Sequence, residues 1–177
     1  MNLAIEFLLW STYLIVLYVV VFWLLSFLDN RQIMKKESKI KKKLRKFPLV
    51  TVIVPAFNES ETILETLNSI FELNYPKNKI QLIVVNDGST DSTNEKIKRV
   101  IKQKSDNSII LIEQENQGKA TSLNNALKKA RGELFACLDA DSIVDKDTLE
   151  KMVRFYQDNP NLAIATPAMK VKNPKTF

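Results

Sequence analysis

An almost wholly apolar stretch, residues 3–28, opens the chain and constrains it more than any other feature. Residues 7–28 carry no charged side chain. As a helix these roughly 22 residues would extend about 33 Å, enough to cross a bilayer. Trp10, Tyr13, Tyr18 and Trp23 fall within or near the ends of this stretch, where interfacial aromatics belong. A secretory signal needs a positive region before its apolar core, and residues 1–6 contain no Lys or Arg. The positive charge follows the stretch instead. The positive-inside rule then puts the N-terminus outside and everything from Lys35 onward in the cytoplasm. The expectation is a retained, single-pass anchor at the cell membrane. A cleaved signal is the competing reading, and it would send the rest of the chain to the other side.

The formal charge of +6 invites a nucleic-acid reading, which the location of that charge excludes. Nine of the 26 Lys and Arg, but only one of the 20 acids, fall within residues 31–46, leaving 17 basic and 19 acidic residues elsewhere. The basic excess is a local feature beside the apolar stretch, suited to anionic membrane lipids. Residues 29–47 therefore read as a juxtamembrane linker, and Pro48 marks entry into a folded domain. The single cysteine, Cys137, sits in an apolar run and allows no intramolecular disulfide. With no histidine in the chain, His-based triads and His-ligated zinc are excluded. A metal here would be held by carboxylates, which points to Mg²⁺ or Mn²⁺.

Beyond residue 48, short apolar runs alternate with segments of helical period. Residues 50–54, 82–85, 109–112, 134–138 and 163–165 read as strands buried on both faces. Four amphipathic segments separate them. Their apolar faces carry Ile63, Leu67 and Ile70; Ile97 and Val100; Leu123, Ala126 and Ala130; and Leu149, Met152 and Val153. Asp91 precedes the second segment, Gly132 closes the third and Pro160 follows the fourth. This alternation predicts right-handed βαβ units and a mostly parallel, Rossmann-like sheet flanked by helices.

Open α/β sheets bind ligands beyond the carboxyl ends of their strands, and each unusual polar cluster falls at such an end. These are Pro55-Ala56-Phe57-Asn58-Glu59, Asn86-Asp87-Gly88-Ser89-Thr90-Asp91, Asn116-Gln117-Gly118-Lys119 and Asp139-Ala140-Asp141-Ser142. An apolar strand delivers Asp139 and Asp141 to a fixed place. Two carboxylates about 5 Å apart repel by roughly 3 kcal/mol at an effective dielectric of 20. A divalent cation relieves that repulsion and leaves positions for phosphate oxygens. The bland alternative is turn or cap chemistry. Asp87 offers acceptors to a base N–H or a ribose hydroxyl, or else makes an Asx-turn. Asp91 suits a helix cap. Lys119, after Gly118 at a helix start, suits a phosphate, or is a plain surface lysine. Glu59 either orients a nucleotide or caps the first helix. Asn124 and Asn125 face either the cleft or solvent.

As an ordered set, these four motifs resemble glycosyltransferase family 2, over roughly residues 48–171. The resemblance implies a GT-A fold, a nucleotide-diphospho-sugar donor and inverting transfer to a saccharide or lipid-linked acceptor. It implies that Asp87 binds the nucleoside, that Asp139 lies near ribose and diphosphate, and that Asp141 is the principal metal ligand. Lys119, Gly118 and the loop carrying Pro55, Phe57 and Glu59 would line the nucleotide pocket, and Asn58 would be structural. Asn86 departs from the frequent double-Asp form of its motif. An anchor before the domain resembles the polysaccharide-synthase branch, and a UDP-sugar is the favoured donor. In that branch residues 165–171 correspond to an acceptor-side strand.

Inverting transfer needs a general base for the acceptor hydroxyl. In the family this is an acid well downstream of the D-x-D, and the synthase branch adds a Gln/Arg-x-x-Arg-Trp element. Neither occurs before Phe177. Asp145, Asp147, Glu150 and Asp158 suit caps and solvated faces. The expected organisation is a membrane helix at 3–28, a linker at 29–47 and an incomplete family 2 domain at 48–177, with the C-terminal part of the fold missing. Donor and metal binding is expected of it, with little transfer by these residues alone. A non-catalytic nucleotide-sugar-binding or assembly subunit is the alternative. A phosphotransfer receiver domain is disfavoured, because receivers place their acid pair after the first strand, where this chain has Pro55 to Glu59.

Overall fold

The computed structural model describes residues 3–37, 44, 46–104 and 109–169. The chain forms two units, residues 1–43 and 44–177. The first contains one helix, α1 (Leu3–Glu37), which continues past Leu28 as a single element. Its stretch Leu3–Leu28 is long and apolar enough to cross a membrane, and none of that stretch is buried within the protein. The two hydroxyls near its start are satisfied inside the helix: Ser11 Oγ and Thr12 Oγ1 both donate to the Leu8 carbonyl. This is what a lipid environment demands of polar atoms. Residues 38–43 and 45 of the expected linker lie outside the described residues.

The second unit is an α/β layer structure. Its strands are β1 (Val50–Ala56), β2 (Ile80–Asp87), β3 (Ile109–Gln114) and β4 (Leu134–Cys137). They form one parallel sheet in the order β3-β2-β1-β4. The intervening helices are α2 (Ile63–Phe71), α3 (Thr93–Lys104) and α4 (Lys119–Leu127), and α5 (Thr148–Asp158) follows β4. Alternate strand residues serve opposite layers. Val52, Val54, Leu82 and Val84 pack with Ile63, Leu67, Ile97, Leu149 and Val153 of α2, α3 and α5. Ile53, Ile83 and Val85 pack with Ala126, Leu123 and Ala130 of α4 and the turn after it. Strand order runs outward from β1 to β3 and then jumps back across β1 to β4. Right-handed crossovers require the helix to change faces at that reversal, as α4 does. The reversal leaves a crevice between the carboxyl ends of β1 and β4.

Three expectations change. Strand β4 is not buried on both faces: it ends the strand order, and Phe135 and Cys137 on one side of it are exposed. Residues 163–165 form no strand; they are exposed, with Ile164 85% accessible. A short apolar run becomes a strand only where another backbone supplies partners, and among the described residues none pairs with it. Gly132 does not terminate a helix, since α4 already ends at Leu127. It crosses over β1, where an added Cβ would lie 2.5 Å from the Thr51 nitrogen. Its N–H donates to Thr51 Oγ1, and Arg131 N–H donates to Gln81 Oε1. The buried Thr51–Gln81 pair, 2.7 Å apart, thus receives the chain returning to the sheet.

Candidate functional site

The carboxyl ends of the strands converge on one cleft of about 270 Å³, lined by Pro55, Phe57, Glu59, Asp87, Lys119, Asp139 and Asp141, together with Ala56, Ser122 and Ala140. Seven of the eight expected site residues therefore share a single wall system. Gly118 does not line it, but its N–H holds Asp87 there.

Hydrogen bonds between neighbouring loops build the rim. Asn58 takes a left-handed conformation, φ 55°, and its Oδ1 accepts from Thr90 N–H at 2.8 Å while its own N–H donates to Ser89 Oγ. Its role is structural. Asn86 closes the turn at the end of β2 by accepting from the Ser89 N–H three residues on, which leaves Asp87 free of that task. Asp91 does more than cap. Its Oδ1 accepts from the Thr93 N–H and hydroxyl, and its Oδ2 from Ser60 N–H across the rim. Glu59 sits between the cleft and the start of α2, and its side chain bonds no helix N–H there. Its carbonyl accepts from Ile63 N–H at the start of α2, its carboxylate accepts from the Thr62 hydroxyl, and it lines the cleft. Gly88 allows the β2 and β3 loops to meet, since a Cβ there would lie 2.7 Å from the Asn116 nitrogen.

Asp87 is nearly inaccessible, 4% exposed. Its Oδ1 accepts from Gln114 Nε2 at 2.7 Å and Gln117 N–H at 3.0 Å, and its Oδ2 from Gly118 N–H at 2.9 Å. Burial alone would raise its pKa. The hydrogen bonds from Gln117, Gln114, Gly118 and Ser122 outweigh burial and hold the carboxyl below its ordinary value. An ionised acceptor is thus fixed at the cleft wall.

On the opposite wall, the turn carrying Asp139 and Asp141 is pinned from beneath. The Ala140 carbonyl accepts from the buried Thr66 hydroxyl of α2 at 2.8 Å, while both acids face solvent. Lys119 Nζ lies 2.5 Å from Asp139 Oδ1. That hydrogen bond, against a smaller effect of burial, raises the lysine pKa. Asp141 accepts only from the Ser142 hydroxyl among the described contacts. No group of three metal-binding side chains occurs among the described residues. Two hard, exposed carboxylates on a fixed turn fit a divalent cation whose other ligands are phosphate oxygens and water.

Reading the sequence did not single out Ser122, Thr66 or Gln114. Their residue types are ordinary, and only their positions on α4, on α2 and at the end of β3 put Ser122 in the cleft wall and the other two behind it. Asn125 turns inward, donating to Gln114 Oε1, whereas Asn124 is exposed.

A parallel sheet with an acidic turn, a lysine and a buried carboxylate beyond its carboxyl ends has the form of an open α/β domain with its ligand crevice at the switch point. The sequence model of Glycosyl transferase family 2 matches residues 51–176, and the chain belongs to that family. Poly-beta-1,6-N-acetyl-D-glucosamine synthase of Staphylococcus aureus is 39% identical over 125 residues, 70% of this chain and 29% of that protein. The Staphylococcus epidermidis protein of the same name is 37% identical over 124 residues, again 70% and 29%. The chain thus spans about 29% of the length of these curated relatives. The mannosyltransferase PcManGT from Pyrobaculum calidifontis, solved with GDP-Man and Mn²⁺, superposes with a TM-score of 0.63 at 37% identity, covering 71% of this chain and 38% of that one. Staphylococcus aureus TarS 1-349 in complex with UDP-GlcNAc gives 0.53 at 31% identity, covering 63% and 32%. The fold is GT-A, as the motifs implied.

Proposed function

We propose that this chain binds a nucleotide-diphospho-sugar, with a UDP-sugar favoured, in the cleft between β1 and β4, and that it serves an inverting glycosyltransferase at the membrane. The observation that carries this reading is one cleft that unites Asp139, Asp141, Lys119 and Asp87 at the switch point. Asp87 would receive the nucleobase or ribose, between Pro55, Phe57 and Glu59. Asp141, with Asp139, would hold Mg²⁺ or Mn²⁺. Such an ion would offset the charge of the departing diphosphate. Lys119 would exchange Asp139 for a phosphate oxygen, adding a point charge at the start of α4. TarS bound to UDP-GlcNAc and PcManGT bound to GDP-Man and Mn²⁺ support this class of ligand, and the synthase names support a saccharide acceptor.

The proposed organisation keeps a membrane helix at 3–28, a basic linker at 29–47 that meets anionic lipids, and a cytoplasmic domain at 48–177. The basic run beside the apolar stretch supports that orientation. A second reading, a donor-binding subunit without its own transfer activity, is favoured by one observation. None of Asp145, Asp147, Glu150 and Asp158 lines the cleft. Asp147 accepts from Asn74 Nδ2 and faces Lys151, and Glu150 pairs with Arg154. In the first reading the base comes from another polypeptide element.

Calorimetric titration of the chain with UDP-GlcNAc and GDP-Man, with and without Mn²⁺, tests the proposal. Metal-dependent heat with the UDP-sugar supports it, and absence of binding to either donor would sink it.

A further inference from the structure

Gln114, the last residue of β3, sits behind the cleft wall without lining it. Its Nε2 donates to Asp87 Oδ1 at 2.7 Å and reaches Ser122 Oγ at 3.3 Å, while its Oε1 accepts from Asn125 Nδ2 at 2.9 Å. Chemistry dictates this orientation. An ionised carboxylate only accepts, so the amide nitrogen must face Asp87, and the amide oxygen is left for the Asn125 donor. The last residue of a strand on the sheet's outer side is thereby locked to a helix and to the cleft wall at once.

The lock has a consequence for the carboxylate. Gln114 and the Gln117 N–H engage Oδ1, whereas one backbone donor, the Gly118 N–H, is bonded to Oδ2, and the Ser122 hydroxyl also supports the carboxylate. Oδ2 is therefore the oxygen left with acceptor capacity toward a ligand. We propose that Gln114 is a positioning residue that fixes which edge of Asp87 meets the nucleobase, and so sets a preference for a base with a ring N–H. This rests on the reading of Asp87 as the nucleobase contact. Uracil and guanine present a ring N–H beside a carbonyl; cytosine and adenine present a bare ring nitrogen there, which repels a carboxylate. Freed from Gln114, the carboxylate rotates, and its discrimination between the two kinds of base falls.

The test is calorimetry with UDP and CDP, in Mn²⁺, on the full chain in detergent. The wild type is expected to bind UDP about tenfold more tightly than CDP, the effect of one hydrogen bond to a charged group against a mismatch. Gln114→Leu is expected to narrow that ratio to about threefold or less. Asn125→Leu, which unlocks the amide and leaves its contact with Asp87, is expected to fall between and covers the case that Gln114→Leu does not fold. A merely structural Gln114 would lower the thermal midpoint and weaken both nucleotides equally. An unchanged ratio in folded Gln114→Leu, or in Asn125→Leu where that is the variant that folds, overturns the proposal. Asp87→Asn separates the two levels. If it abolishes discrimination while the Gln114 variant retains it, only the role of Gln114 falls. If it changes nothing, or the wild type shows no preference, the reading of Asp87 falls as well.

Discussion

Lys119 and Asp139 make an ion pair across the cleft whose partners are both more than half exposed, 56% and 53%. Exposed pairs are worth at most about 1 kcal/mol, so a ligand separates them readily. The lysine stands where it offsets a carboxylate that a metal would also use. Lys119→Ala is therefore expected to bind Mn²⁺ alone about three- to tenfold more tightly, since a like charge is gone, and UDP about tenfold more weakly. Mn²⁺ affinity followed by electron paramagnetic resonance checks the first part, and calorimetry the second. Asp91 gives a pH signature. The Thr93 hydroxyl first, against some burial, and then the Thr93 and Ser60 backbones bring its carboxyl to about 2, from an ordinary 3.8. A depressed folded value contributes stability above the unfolded value and loses it as pH falls through the folded one. The thermal midpoint should thus drop between about pH 4 and pH 2, and Asp91→Asn should lower it at neutral pH and flatten the acid limb. A wild-type limb no steeper than the variant's would contradict this assignment.

Among elements, β1 and β2 were the most legible, because strands buried on both faces must read as apolar runs, and residues 50–54 and 82–85 do. The four helices followed from period and flanking signals. The run at 163–165, Ala-Ile-Ala, is also apolar and forms no strand, because pairing depends on a neighbour that composition does not reveal. Within the site, Asp87, Lys119, Asp139 and Asp141 were legible as charged residues at strand ends. Gln114, Ser122 and Thr66 were not, since a polar residue at the end of a strand or inside a helix has many uses and only register selects one. Gly132 shows the same limit. A glycine after a helical segment suggests a cap, yet here it permits backbone contact across β1. Gly132→Ala should cost about 2–4 kcal/mol, because the obstacle is the Thr51 backbone rather than a side chain that can move. Urea denaturation of the two proteins measures it, and a loss below about 0.5 kcal/mol would show that the crossing is loose.

At the scale of the whole molecule, the chain combines an apolar helix with a GT-A domain of Glycosyl transferase family 2. The full chain is expected to stay with membranes through an alkaline carbonate wash, as a spanning helix does and a surface-bound one does not. Appearance in the supernatant would rule out the anchor. The central claim is a cleft in which an acidic turn, a metal and a nucleotide diphosphate assemble together. Its most direct measurement is UDP affinity, by calorimetry, of the wild type and Asp141→Asn with and without Mn²⁺. The account predicts that Mn²⁺ tightens UDP binding by about tenfold or more in the wild type and has almost no effect in the variant. Equal UDP affinity in all four titrations would contradict it.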